Sequence, residues 1–295
     1  MPLTTEVAAT TTTAAAGGDA IRAGLRVARP AGTRPRRRRP SLLRTGGGIL
    51  GTALLALAVG LALLGPAVVG DRPFASVAAP LEAPSVAHLM GTDDLGRDVL
   101  TMVVHGLRTS LAIAVGVVAI SGLVALCVGA LAGSRPGWID DLLMRTTELV
   151  QVVPRFFLAI VVVALFDARV SNVVLLLGLT SWTWTARVVR AETLSLRQRA
   201  FVEAARSFGG GHVYILRRHV AGNVLPTALV MLSVCASGAV LIEAGLGFVG
   251  LADPEVVSLG SLASNAQRFL RSAWWLTVFP GLALLIVVLG INLVG

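Results

Sequence analysis

Apolar runs of roughly 20 residues, long enough to cross a bilayer core as helices, recur along this chain and limit its fold more than any other feature. The first, Gly46–Val69, is long enough at about 1.5 Å per residue to cross a core about 30 Å thick with some tilt. The apolar region of a signal peptide covers only about 7–15 residues, so this run reads as an uncleaved helix. Further runs at 107–132, 142–166, 172–189, 223–248 and 273–294 bring the expected total to six spans. Apolar residues make up 55% of the 295, and the mean hydropathy is +0.80. A soluble domain averages about 45–50% apolar and does not gather it into such blocks. The fold class expected is therefore an all-α, multi-pass membrane protein over 46–295.

The net charge of +9 is uneven. Residues 1–45 hold nine arginines against Glu6 and Asp19, and include the run Arg36 to Arg39. Proline and like charge oppose a packed core there, so a disordered tail is expected. Its simplest role is a positive anchor on the cytoplasmic side of the first span, with anionic lipid as a contact and no nucleic acid as partner. Seven arginines between Arg187 and Arg218 mark that connector as cytoplasmic too, and four spans separate it from the tail. Short turns at 134–141 and 167–171 complete the alternation. Every basic residue is Arg, with no Lys in the chain. A P-loop needs a Lys for the β- and γ-phosphates, so a P-loop ATPase must be a different polypeptide.

Two polar stretches interrupt the apolar pattern. The first, 201–226, reads as two short helices around the corner Gly209-Gly210-Gly211, where positive φ costs little. Val213, Leu216 and Val220 share one face of the second helix, and Pro226 enters the next span. Paired short helices beside a membrane make a docking surface. The second stretch is an acidic connector, 70–108, containing Gly91-Thr92-Asp93-Asp94-Leu95-Gly96-Arg97-Asp98-Val99. Acids in a first turn favour helix initiation. Leu95, Val99, Met102 and Val103 form a narrow apolar face, which predicts a short helix lying on the outer membrane surface.

The first stretch resembles the EAA loop of bacterial ABC-importer permeases, with Glu203-Ala204-Ala205, then Gly209, then Leu225-Pro226. The second resembles the GTDxxGRDV signature of the oligopeptide, dipeptide and nickel permeases, of the second subunit type. It matches at Gly91, Thr92, Asp93, Gly96, Arg97 and Asp98. The resemblance covers 91–294. It implies the type I (MetI-like) permease fold of six membrane helices with cytoplasmic coupling helices, in a bacterial inner membrane. It also implies a permease subunit that takes up peptides, with no cofactor of its own. ATP and Mg would sit on two partner ATPases. A second, homologous permease and an extracytoplasmic peptide-binding protein complete the expected assembly. Glu203 would meet a basic group on an ATPase, Ala204 and Ala205 would allow close approach, and Gly209 would set the helix angle. The family often has Ser where Gly247 stands, and Asp where Glu148 stands.

Several residues keep more than one reading. Glu148, with Arg145, Gln151, Pro154 and Arg155 in the third run, is either an interface group near the inner face or part of the transport path. Glu243 is either a helix–helix hydrogen-bonding group or a pore-side acid. Trp182 and Trp184 anchor an interface or line a cavity. Trp274 and Trp275 are read as interfacial anchors of the last span. Gly116, Gly122 and Gly129 allow close helix packing. Cys127 and Cys235 read as small buried hydrophobes. Residues 250–272 have room for a re-entrant segment. A nickel or metal-chelate permease shares this fold. An ion-coupled transporter would show internal repeats and broken midplane helices, which are not evident. A membrane hydrolase would need a nucleophile with a base, and no Gly-x-Ser-x-Gly is present.

Overall fold

The computed structural model describes residues 46–215, 218 and 220–295, without the side chains of His212 and Val213. The expected arginine-rich tail lies outside the described residues, as do Leu216, Arg217 and His219. Helices build the protein: α1 (Gly46–Val69), α2 (Val99–Ser134), α3 (Trp138–Val152), α4 (Arg155–Phe166), α5 (Val170–Arg197), α6 (Ala200–Ser207), α7 (His212–Ile215), α8 (Ala221–Phe248), α9 (Leu259–Ala266) and α10 (Trp275–Val294). Among the described residues, α1, α2, α8 and α10 are long and apolar enough to cross a membrane. The pair α3 and α4 adds a fifth if its two limbs count as one broken span. The run expected at 172–189 lies inside α5, which carries more polar residues, so α5 does not meet that measure.

Three expectations on local structure change. The third run is not a straight helix, because the chain bends by 73° between α3 and α4. Pro154 stands at the break in extended conformation. It lacks an N–H and crowds the preceding turn, so the ladder of α3 cannot pass through it. The expected surface helix around Asp93 and Leu95 is absent. The helix begins only at Val99 and runs on as α2, with Val99, Met102 and Val103 buried in the bundle. Finally, α5 continues to Arg197, well beyond the expected end of its span.

Small residues set the helix spacing. A Cβ at Gly129 of α2 would stand 2.5 Å from the Ala186 carbonyl of α5, and one at Gly133 would stand 2.8 Å from that of Arg190. Gly116 faces Val174 on α5, whereas Gly122 faces Leu232 on α8. Helices that cannot gain from expelling water associate through such close backbone contact. The 250–272 connector folds in the same way. It inserts α9 against α8, α10 and α2, burying Val257, Leu259, Leu262 and Ala266. Ser258 and Ser261 close a reciprocal capping box at its start, which satisfies two end donors that burial would otherwise strand. Gly247 has its reason here, since a Cβ would come 2.7 Å from the Gly260 carbonyl carbon. A Cβ at Gly260 would in turn stand 2.5 Å from the Ala244 oxygen. Gly260→Val is therefore expected to overpack this seam, costing about 1–3 kcal/mol. A thermal unfolding scan in detergent checks it, and an unchanged midpoint would contradict the packing.

Candidate functional site

At one end of the bundle, α5, α6, α7 and the start of α8 form a corner. Val202 is fully buried on α6 and packs with Val189, Leu196, Ile215, Val220, Val224 and Ala228. One apolar face therefore pins α6. The opposite face carries Glu203 and Ala204 into solvent. Ala205 departs from expectation: it is half-buried against the molecule's own cluster, so Ala204 alone of the two is open to a partner. Phe208 ends the helix with 92% of its surface exposed, an unusual position for a large apolar side chain.

The helix stops by a Schellman turn. The Gly209 amide donates to the Arg206 carbonyl and that of Gly210 to Ala205, both at 2.9 Å. Gly209 has φ +83°, in the left-handed region that a Cβ disfavours, and this is why glycine is needed there. Beyond the corner, Leu225 and Pro226 are exposed in the first turns of α8. Val220 is buried, although α7 ends at Ile215 and the shared face expected with Val213 and Leu216 falls partly outside the described residues.

This corner is braced to the bundle by contacts that sequence reading missed. The Arg190 guanidinium on α5 grips Asp140 on α3 through two bonds, Nε to Oδ1 at 2.5 Å and Nη2 to Oδ2 at 2.6 Å. Asp140 is 5% exposed, and its hydrogen bond raises the Arg190 pKa above the ordinary value. Arg197 donates to the Gly133 carbonyl at 3.2 Å. Burial, followed by the charge of Arg206, lowers its pKa. Beside the corner, Leu126, Cys127, Val220 and Leu225 line an apolar groove of about 610 Å³. Cys127 is thus exposed, unlike the expected buried hydrophobe, while Cys235 is half-buried with Ser121 Oγ at 3.4 Å.

At the opposite end, the acidic connector folds on itself. Thr92 is fully buried: its hydroxyl donates to the Ala79 carbonyl and accepts from the Glu82 amide, each at 2.8 Å. Asp93 Oδ1 accepts from the Leu95 and Arg97 amides at 2.9 and 2.7 Å. Its Oδ2 lies 3.7 Å from Arg97 Nε. Gly91 and Gly96 both have positive φ, and a Cβ at Gly96 would run into the Ala78 carbonyl. Asp98 caps α2 through Thr101 and faces His88 Nδ1 at 3.2 Å. The acids of this signature therefore hold a loop and start a helix; they do not form a helical first turn. Trp275 also departs from expectation. It is 5% exposed, and its indole donates to the Thr92 carbonyl at 3.1 Å, so it locks α10 to this loop. Trp274 remains more than half exposed.

Glu148 and Glu243, the two acids with open readings, part company. Glu148 lies exposed on α3, on the arm before the bend. Glu243 is 6% exposed on α8, with Ser258 beside it. Its Oε2 has no hydrogen-bond partner among the described residues. Trp182 is buried and donates to the Leu179 carbonyl, whereas Trp184 is exposed.

The chain matches the family described as binding-protein-dependent transport system inner membrane component over residues 125–295. It is 36% identical over 251 residues to a protein of Brucella suis named as a peptide transport system permease, with 83% of each chain covered. It is 34% identical over 218 residues to a dipeptide transport system permease of Alkalihalophilus pseudofirmus, covering 73% of this chain and 71% of the other. A protein of Escherichia coli named for D,D-dipeptide transport is 32% identical over 218 residues, covering 74% and 73%. With its apolar helices, self-folded signature loop and projecting corner, the chain belongs to this inner membrane component family, as a multi-pass permease subunit of an ABC transport system whose ATPase is a separate polypeptide.

Proposed function

We propose that this permease passes short peptides across a bacterial inner membrane, with its N-terminus and the α6–α7 corner in the cytoplasm. The names of the relatives support the peptide class. The observation that carries the mechanism is α6 itself. It is fastened on one face by Val202, while Glu203, Ala204 and Phe208 project on the other. A groove on an ATPase subunit would receive Phe208, and a basic rim there would pair with Glu203. A homologous permease would complete the path, and a peptide-binding protein would dock over the 70–98 loop. ATP and Mg would act only on the two ATPases.

ATP binding draws the ATPases together and moves α6. Because α6 is continuous in packing with α5 and α8, its displacement reaches the membrane helices as a rigid push. A change in the population of inward- and outward-open states requires different contacts in each, and the corner is where those contacts differ. Gly209→Ile would force a branched Cβ into left-handed φ and misdirect α7. Peptide uptake in reconstituted vesicles is expected to fall at least tenfold, while ATP hydrolysis persists or assembly fails. Normal uptake by that variant would remove the coupling role. Uptake of a labelled dipeptide against nickel by the wild-type importer tests the substrate class.

A further inference from the structure

A second site lies at the end of the bundle opposite the corner. Four segments meet around a pocket of about 530 Å³: the chain after α1, the first turns of α2, the start of α5 and the loop before α9. Its charged groups are Asp71, Arg108 and Glu255, with the His105 imidazole beside them, and Phe74, Val170, Val256 and Val257 supply apolar walls. The volume lies in the range of small-ligand sites, about 300–1,000 Å³, which combine an apolar lining with a few polar groups.

Each wall is tied in place. His105 Nε2 lies 3.0 Å from the Gly70 carbonyl and so holds the strand of chain that bears Asp71. A carbonyl only accepts, so this nitrogen carries the proton. Asp253 accepts from the Val170 and Glu255 amides, both at 3.0 Å, fixing the loop that bears Glu255 to the start of α5. The Arg97 guanidinium lies over the Phe74 ring at 5.4 Å. Among the described residues, Asp71, Arg108 and Glu255 enter no ion pair. One cation and two carboxylates thus face a shared space with their charges uncommitted, although partners of both signs are present.

We propose that this vestibule binds a short peptide as a zwitterion, with the peptide carboxylate on Arg108 and its ammonium between Asp71 and Glu255. Arginine suits the carboxylate because its planar fork presents paired donors. The apolar walls take the peptide side chains and add little discrimination among them. The site recognises the two termini, a feature common to all short peptides. This inference rests on the peptide reading above and names where the permease itself holds its cargo.

The test uses the assembled importer in nanodiscs without its binding protein, with tritiated Ala-Phe as probe. Saturable binding is expected, and Arg108→Gln should weaken it at least tenfold. C-amidation of the probe should weaken binding to the wild type and have little further effect on that variant. Asp71→Asn with Glu255→Gln should behave in the same way toward N-acetylation. All three residues are exposed, and co-elution of every subunit on size-exclusion chromatography verifies assembly. Equal binding by wild type and variants overturns the proposal, as does a wild type that imports Ala-Phe normally but shows no saturable binding. Loss of binding-protein affinity with peptide binding intact would make the vestibule a docking surface and also overturn it. A wild-type importer that takes up no peptide at all would instead sink the peptide reading.

Discussion

Trp275→Ala is expected to destabilise the folded protein by about 3–5 kcal/mol, the usual cost of emptying a large aromatic site in a core. The indole belongs to the main buried cluster, which also includes Ala273, Leu276 and Met102, and it holds the Thr92 carbonyl. Trp275→Phe separates these contributions. It keeps most of the volume but leaves the carbonyl unsatisfied, and should cost about 1–3 kcal/mol. Intrinsic fluorescence during thermal unfolding in detergent reads both. If the alanine variant melts with the wild type, the lock between α10 and the signature loop is not there.

The second large effect is expected at Asp140. Replacing it by Ala leaves the Arg190 charge without its partner. A fully buried pair broken in this way costs about 3–5 kcal/mol. Arg190 keeps about a third of its side chain in contact with solvent, and water screens the loss, so about 1–3 kcal/mol is expected here. The functional effect should exceed the thermal one. Arg190 lies on the helix that leads into α6, and Asp140 on the arm that leads into the bend, so the pair ties the two together. Asp140→Ala should lower the peptide taken up per ATP hydrolysed several-fold. The exchange Asp140→Arg with Arg190→Asp should recover part of that ratio. Unchanged coupling in the single variant would reduce the pair to a local brace.

Sequence reading succeeds where a physical pattern is local. The apolar block Gly46–Val69 emerged with the expected bounds, because length and apolarity alone decide a membrane helix. The glycine corner emerged because left-handed φ has few substitutes. Three-dimensional partners were not legible. Nothing near Asp93 in the chain reveals that its carboxylate closes a loop instead of opening a helix. Nothing near Trp275 reveals a carbonyl 183 positions earlier. Asp140 and Asp141 read locally as part of a short turn, and only packing shows that they open a helix and that one of them grips Arg190. Pro154 was visible, but the bend it causes depends on the neighbours against which each arm lies.

That bend changes how thick a barrier the protein presents. The arm before it, α3, carries acids and arginine, whereas α4 is apolar and has only 12 residues. At about 1.5 Å per residue, α4 reaches roughly 18 Å, well short of a hydrocarbon layer about 30 Å deep. By itself α4 therefore cannot cross the layer, and a crossing on this flank needs the residues of α3 as well. Pro154 divides this run into two limbs set 73° apart, and neither limb alone has the length of a spanning rod.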